Sequence, residues 1–242
     1  MPRSRHRLRT DSSRAVGAAS APRPPDLLSG EDLPPEPRQP RSLAKRARLK
    51  AAAVRLFGEK GYEKTSIDEI ARAAGLATGA FYLHFRSKRQ LVLVLMGDLV
   101  GALSRLDLEL GESSDVRSAL RTLLGRAFAS DMRFLGAVRA WQEIVWSDPE
   151  LAGKHRAIHA WTGARVTALF AQLQQRPGAR QDADVGALAR AIDAMFWAFL
   201  AEAMVVSKPE LERWLDSATH LIYHALFLDP QDKDAKKKGG RQ

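Results

Sequence analysis

The side chains of this 242-residue chain that could do chemistry are histidines and cations. His155 and His159 stand at i and i+4, as do His220 and His224, a spacing that puts two imidazoles on one helix face. A metal site needs more. No Glu follows the first His of either pair, so the H-E-x-x-H pattern is absent, and no third ligand is in view. The histidines therefore read as structural or interface residues, and no metal or other cofactor is expected. Without a glycine-rich phosphate loop or a G-x-S-x-G there is no sign of an enzyme. The absence of cysteine removes disulfides and thiolate ligands and agrees with a reducing, cytoplasmic setting. The cations point elsewhere. Arg41 to Arg89 holds twelve Lys/Arg against four Asp/Glu, net +8, whereas Gln90 to Leu228 holds fourteen against sixteen, net −2. A basic region joined to a near-neutral one is the electrostatic footprint of nucleic-acid binding.

The elements that must position those cations can be read from Thr65 to Arg89. Ser66 and Glu69 have capping-box spacing, and Ile67, Ile70, Ala71 and Ala74 then recur at helical intervals. Gly75 stops that helix. A second short helix is predicted from Thr78 to Phe85, with Phe81 and Phe85 inward and Thr78, Gly79, Tyr82, Leu83 and His84 nearer the other side. Ser87 and Gln90 open a third, carrying Lys88 and Arg89 in its first turn. Helix, glycine turn, helix is the helix-turn-helix arrangement, and no acid interrupts Ala71 to Gln90.

The segment LFGEKGYEKTSIDEIARAAGLATGAFYLHFRSKRQL resembles the N-terminal DNA-binding domain of the TetR family of transcriptional regulators, over roughly Ala44 to Met96. The resemblance implies an all-α homodimer: an N-terminal helix-turn-helix domain over 42–89 and a helical effector-binding and dimerisation domain over 90–228. It implies a palindromic double-stranded operator and a small-molecule effector as partners, with repression as the usual outcome. Carried over by position, Lys45 and Arg46 approach the DNA backbone, Thr65 and Ser66 contact phosphate, Thr78 and Gly79 lie at the groove floor, and Tyr82, His84 and Lys88 hold the backbone. Two positions depart from the pattern: Ala77 replaces a common capping Ser, and Ala80 replaces a Thr or Ser that often reaches DNA.

Outside that head, seven of the twelve prolines fall between Pro22 and Pro40, hydrophobic residues are sparse, and 1–41 reads as a disordered basic, Pro-rich arm. Residues 229–242 read as a disordered charged tail. The helix opened at Ser87 continues to about Leu110, and four further helices are predicted, over about 116–130, 132–146, 149–175 and 183–205, with a last one from Ser207 to about Leu228. No strand pattern and no apolar run of about 20 residues appears, so neither sheet nor membrane span is expected. Aromatic and Met residues of the second domain suggest a cavity for an apolar ligand. Phe134, Arg139, Trp141, Glu143, Trp161, Met195 and Phe199 are its candidate lining, with Arg139 and Glu143 equally readable as a structural i, i+4 pair. The apolar faces of the last two helices suggest a dimer interface through Ile192, Trp214, Ala218, Leu221, Ile222 and Ala225. A regulator that binds DNA without any effector, acting through a protein partner, is the alternative.

Overall fold

The computed structural model describes residues 22–111 and 115–228. Among them the chain forms nine α-helices: α1 Pro40–Lys60, α2 Ile67–Ala73, α3 Thr78–Tyr82, α4 Lys88–Ser104, α5 Val116–Asp131, α6 Leu135–Ile144, α7 Pro149–Gln174, α8 Val185–Glu202 and α9 Lys208–Leu226. A single 3-10 turn, Met132–Phe134, makes the expected break between α5 and α6. Local chemistry sets most starts. Ser66 and Glu69 form the reciprocal capping box of α2. The side chains of Ser87, Asp148 and Ser207 accept from backbone N–H groups of α4, α7 and α9, and Pro149 occupies the first turn of α7, where its missing N–H costs nothing. α3 begins at Ala77 with no side-chain cap.

Two helix ends differ from expectation. α3 stops at Tyr82 rather than Phe85, because Phe81 and Phe85 both turn into the core. α4 stops at Ser104 rather than near Leu110, and the Arg165 guanidinium donates to the carbonyls of Leu103 at 2.6 Å and Leu106 at 2.7 Å just there. α4 also has no solvent face along its first half: Leu91 to Met96 are all buried, because α1, α5 and α6 surround it.

The head docks on the body through α1 and α6. These helices cross at Gly58 and Gly136, where a Cβ on Gly136 would fall on the Val54 carbonyl and 2.9 Å from the Gly58 nitrogen. Arg139 Nη1 donates to the Gly58 carbonyl at 2.7 Å, and Glu143 Oε2 accepts from the Tyr62 N–H at 2.8 Å. Arg139 and Glu143, readable as ligand contacts or as a structural pair, face each other at 3.5 Å and clasp the end of α1 and the loop after it.

The Pro-rich segment requires a second correction. Residues 1–21 lie outside the described residues, but 22–39 are not loose: they run as a strap over the body and the head. Leu27 is 2% exposed in the main core, with Leu28 and Leu33 packed against it. Trp161 Nε1 donates to the Pro22 carbonyl at 2.9 Å, Lys154 Nζ to the Ser29 carbonyl at 3.1 Å and Gln90 Nε2 to the Asp32 carbonyl at 3.0 Å. Composition hides this because prolines hold the chain extended at little entropy cost, so three leucines and borrowed donors suffice to seat it. The strap meets the head at Arg89, which pairs with Glu31 (2.6 Å), Asp148 (2.8 Å) and Glu150 (2.7 Å). Burial opposes that guanidinium's charge, but hydrogen bonds to Asp148 and Glu31 outweigh it and hold its pKa above the usual range.

Both histidine pairs make contacts within the subunit. Trp141 Nε1 donates to His155 Nδ1 at 3.1 Å, His159 Nδ1 meets the Asp193 carboxylate, and Arg117 reaches His220 at 3.5 Å. No group of three or more metal-ligating side chains occurs among the described residues. Burial, with His159 nearby, pulls the His155 pKa down from 6.5 to about 4. The folded state thus binds fewer protons than the unfolded state between those values, and stability falls as pH drops through that window. Melting curves from pH 7 to pH 4 should show wild type losing more stability than His155→Gln; parallel losses would refute this assignment.

Candidate nucleic-acid interface and apolar cavity

α2 and α3 present one exposed face. Ser66, Gly79, Tyr82 and Leu83 are exposed on it, and Thr78 is half-buried, donating to Asp68 Oδ1 at 2.7 Å. Lys45 is exposed and Arg46 partly so, with the Arg46 guanidinium 5.2 Å above the Phe85 ring. Exposed Arg48, Lys64, Arg72 and Arg86 add positive charge to the head surface. Three expected contacts sit differently. Thr65 is 1% exposed, and its hydroxyl donates to the Gly61 carbonyl at 2.6 Å, so it closes the α1–α2 loop and has no free hydroxyl for phosphate. His84 is 5% exposed; burial and the nearby charges of Arg46 and Lys45 lower its pKa, and its Nδ1 has no partner among the described residues. Lys88 Nζ donates to the carbonyls of Tyr62 (2.7 Å) and Thr65 (2.9 Å) and lies 4.0 Å over the Tyr62 ring. Burial pulls that ammonium's pKa down against the fields of Glu63 and Glu143. Lys88 therefore braces the loop from within.

The body encloses an apolar cavity of about 120 Å³ between α4, α5, α7, α8 and α9. Leu103, Leu123, Phe170, Phe196, Trp197 and Ile222 are among its lining, and Thr162, Arg165 and Asp193 are its polar edge. Asp193 accepts from Thr162 Oγ1 at 2.6 Å and meets His159, so its carboxylate is satisfied. Arg165 stands over the Trp161 ring at 5.1 Å while holding the end of α4, and burial lowers its pKa.

None of the seven residues expected to line a ligand site lies on this cavity. Trp141 is fully buried core, Trp161 is tied to the strap, Phe199 stacks on Trp214 at 5.1 Å, Phe134 borders an outer groove, and Met195 is half-buried on α8. Aromatic identity is a poor guide to position, since the largest side chains serve the densest packing. The better signal was the leucine spacing at Leu120, Leu123 and Leu124, facing Leu99 and Leu103 across a gap.

Against known proteins, the model for "Bacterial regulatory proteins, tetR family" matches residues 49–95. A solved structure of a TetR-family transcriptional regulator from Mesorhizobium loti shares 25% identity, covering 78% of this chain and all of that one, with a TM-score of 0.59. Residues 49–95 of this chain therefore resemble the DNA-binding segment of the TetR family, and the whole fold resembles that of a TetR-family regulator. Among curated relatives, the regulator AcrR of Shigella flexneri is 36% identical over 108 residues, 44% of this chain and 50% of that one. The uncharacterised regulator YerO of Bacillus subtilis is 49% identical over 49 residues, 20% of this chain and 17% of that one. The chain thus spans half or less of the length of these curated relatives. Both are described as HTH-type transcriptional regulators.

The last two helices divide the expected interface residues. Ile192 and Ile222 line the cavity, and Ala218 is buried within the subunit; intrachain packing has already used them. Leu221 is 58% exposed, Ala225 half-buried, and Trp214 half-buried against Phe199. No helix of the described residues is long and apolar enough to cross a membrane.

Proposed function

We propose that this protein is a ligand-responsive, DNA-binding transcriptional regulator, acting as a repressor that a small apolar effector releases from a palindromic operator. One observation carries the reading: Arg165 is at once a wall of the apolar cavity and the cap on the end of α4, whose other end begins at the head. α3 enters the major groove, and sequence is read there by few side chains, with exposed Gly79 and Tyr82 and half-buried Thr78 the candidates. The cation surface supplies most of the affinity. Two copies meet through α8 and α9. Ala187, Ala191, Ala194, Ala198 and Ala201 form an exposed stripe of small residues on α8, and Leu221 adds an exposed apolar side chain on α9. Two-fold pairing places two heads on a palindrome.

The cavity bears on mechanism. A drug-sized ligand needs roughly 300 Å³ or more, so an effector must part the helices around the 120 Å³ space to enter. Parting them moves Arg165 off the Leu103 and Leu106 carbonyls. Ligand and DNA then favour different geometries and oppose each other by linkage. The same small volume is what favours the alternative, a regulator with no effector that works with a protein partner. A melting screen of neutral apolar compounds, repeated with operator, decides between them. Stabilising compounds should weaken operator affinity by about tenfold or more. A broad screen without a stabilising compound would leave the effector-free reading standing.

A further inference from the structure

We infer that the acidic outer part of the N-terminal strap is an autoinhibitory contact, competing with DNA phosphates for cations at the edge of the reading head. The inference rests on the DNA-binding function proposed above. Residues 22–39 hold four acids, Asp26, Glu31, Asp32 and Glu36, against two cations, Arg23 and Arg38. The strap has two parts of different character. Its inner part is anchored: Leu27 lies in the core, Trp161 holds Pro22, and Glu31 lies against Arg89 with its side chain only 12% exposed. In its outer part Gln90 holds the Asp32 carbonyl and Leu33 packs on the core, but the acidic side chains are barely held. Asp32 faces Arg86 at 3.5 Å with its side chain 88% exposed, and Glu36 faces Arg46 at 3.9 Å with its side chain 83% exposed.

Arg46 and Arg86 are not incidental partners. Arg46 lies over the Phe85 ring, Arg86 is the next residue in the chain, and exposed Tyr82 and Leu83 stand three or four residues earlier, at the end of α3. Phosphates flanking a groove occupied by α3 would meet these two guanidiniums. Exposed, long ion pairs contribute little to folding, so their positions suit a contact made to be exchanged. A phosphate displaces the carboxylate, the exposed Asp32 and Glu36 side chains swing aside, and the strap backbone stays attached through its buried anchors. The acids thereby lower affinity for all duplexes and keep the protein off DNA that offers no base contacts to offset the loss.

The test compares wild type with the double variant Asp32→Asn, Glu36→Gln on a short duplex of scrambled sequence, across a salt series. The variant should bind about three- to tenfold more tightly, and its slope of log affinity against log salt should steepen by about one to two. Melting temperature should stay within a few degrees of wild type. A control pair at the far end of α4, Asp107→Asn with Glu109→Gln, makes the same change in net charge and should leave both readouts near wild type. Equal affinity and slope for wild type and the strap variant would overturn the inference while leaving DNA binding intact. The same gain in the control would reduce the effect to net charge and overturn it equally. A wild-type protein with no salt-dependent DNA binding would instead overturn the function on which the inference rests.

Discussion

Affinity for the operator should fall by about 10³-fold or more between about 50 and about 200 mM salt. The expectation follows from counterion release: each neutralised phosphate contributes close to one unit to the salt slope, and a dimer brings two heads. Each head exposes Lys45, Arg48, Lys64, Arg72 and Arg86, with Arg46 partly exposed, enough for three or more phosphate contacts a side. Lys88 does not enter that sum, because its ammonium is spent on the Tyr62 and Thr65 carbonyls. Lys88→Ala should therefore act through a loosened loop, lowering affinity without lowering the slope, whereas Lys45→Ala should lower the slope by about one. Mobility-shift titrations over a salt series measure both. A flat response in wild type would remove DNA binding from the function.

Gly136→Ala should destabilise the protein by about 3 kcal/mol or more, and should separate head from body before the rest unfolds. The added Cβ would fall on the Val54 carbonyl, within 2.7 Å of its carbon and 2.9 Å of the Gly58 nitrogen. These are backbone atoms of α1, so relief requires moving the helix. Moving it would stretch the Arg139–Gly58 and Glu143–Tyr62 hydrogen bonds, which hold at 2.7 and 2.8 Å. Two other glycines calibrate the effect. A Cβ at Gly58 meets chiefly the flexible end of Met204, at 2.6 Å, and should cost less. One at Gly97 meets nothing within 4 Å, so Gly97→Ala should be neutral or stabilising by up to about 1 kcal/mol through helix propensity. Denaturant melts of the three variants give the ranking. A Gly136→Ala protein as stable as Gly97→Ala would show that α1 and α6 do not cross this closely.

The sequence by itself determined whatever depends on neighbours within a turn or two. The Ser66–Glu69 box, the helix starts at Ser87 and Ser207 and the glycine stop at Gly75 act over three or four residues, so those helix limits were legible. So was the surplus of cations on the head, since charge is additive and needs no fold to be counted. Only the tertiary structure decided what each large or polar side chain does, because burial and partners arise between residues far apart in the chain. Thr65 and His84 have the chemistry of phosphate contacts, yet packing turns both inward. Arg139 and Glu143 stand one turn apart like any surface pair, yet they reach back about eighty residues to clasp α1. Trp141 and Trp161 look like ligand platforms, yet one anchors His155 and the other the strap. The strap is the clearest case. Its prolines and acids give no local reason for order, and its seat exists only because the folded core receives Leu27 while Arg89 and Trp161 bind Glu31 and the Pro22 carbonyl.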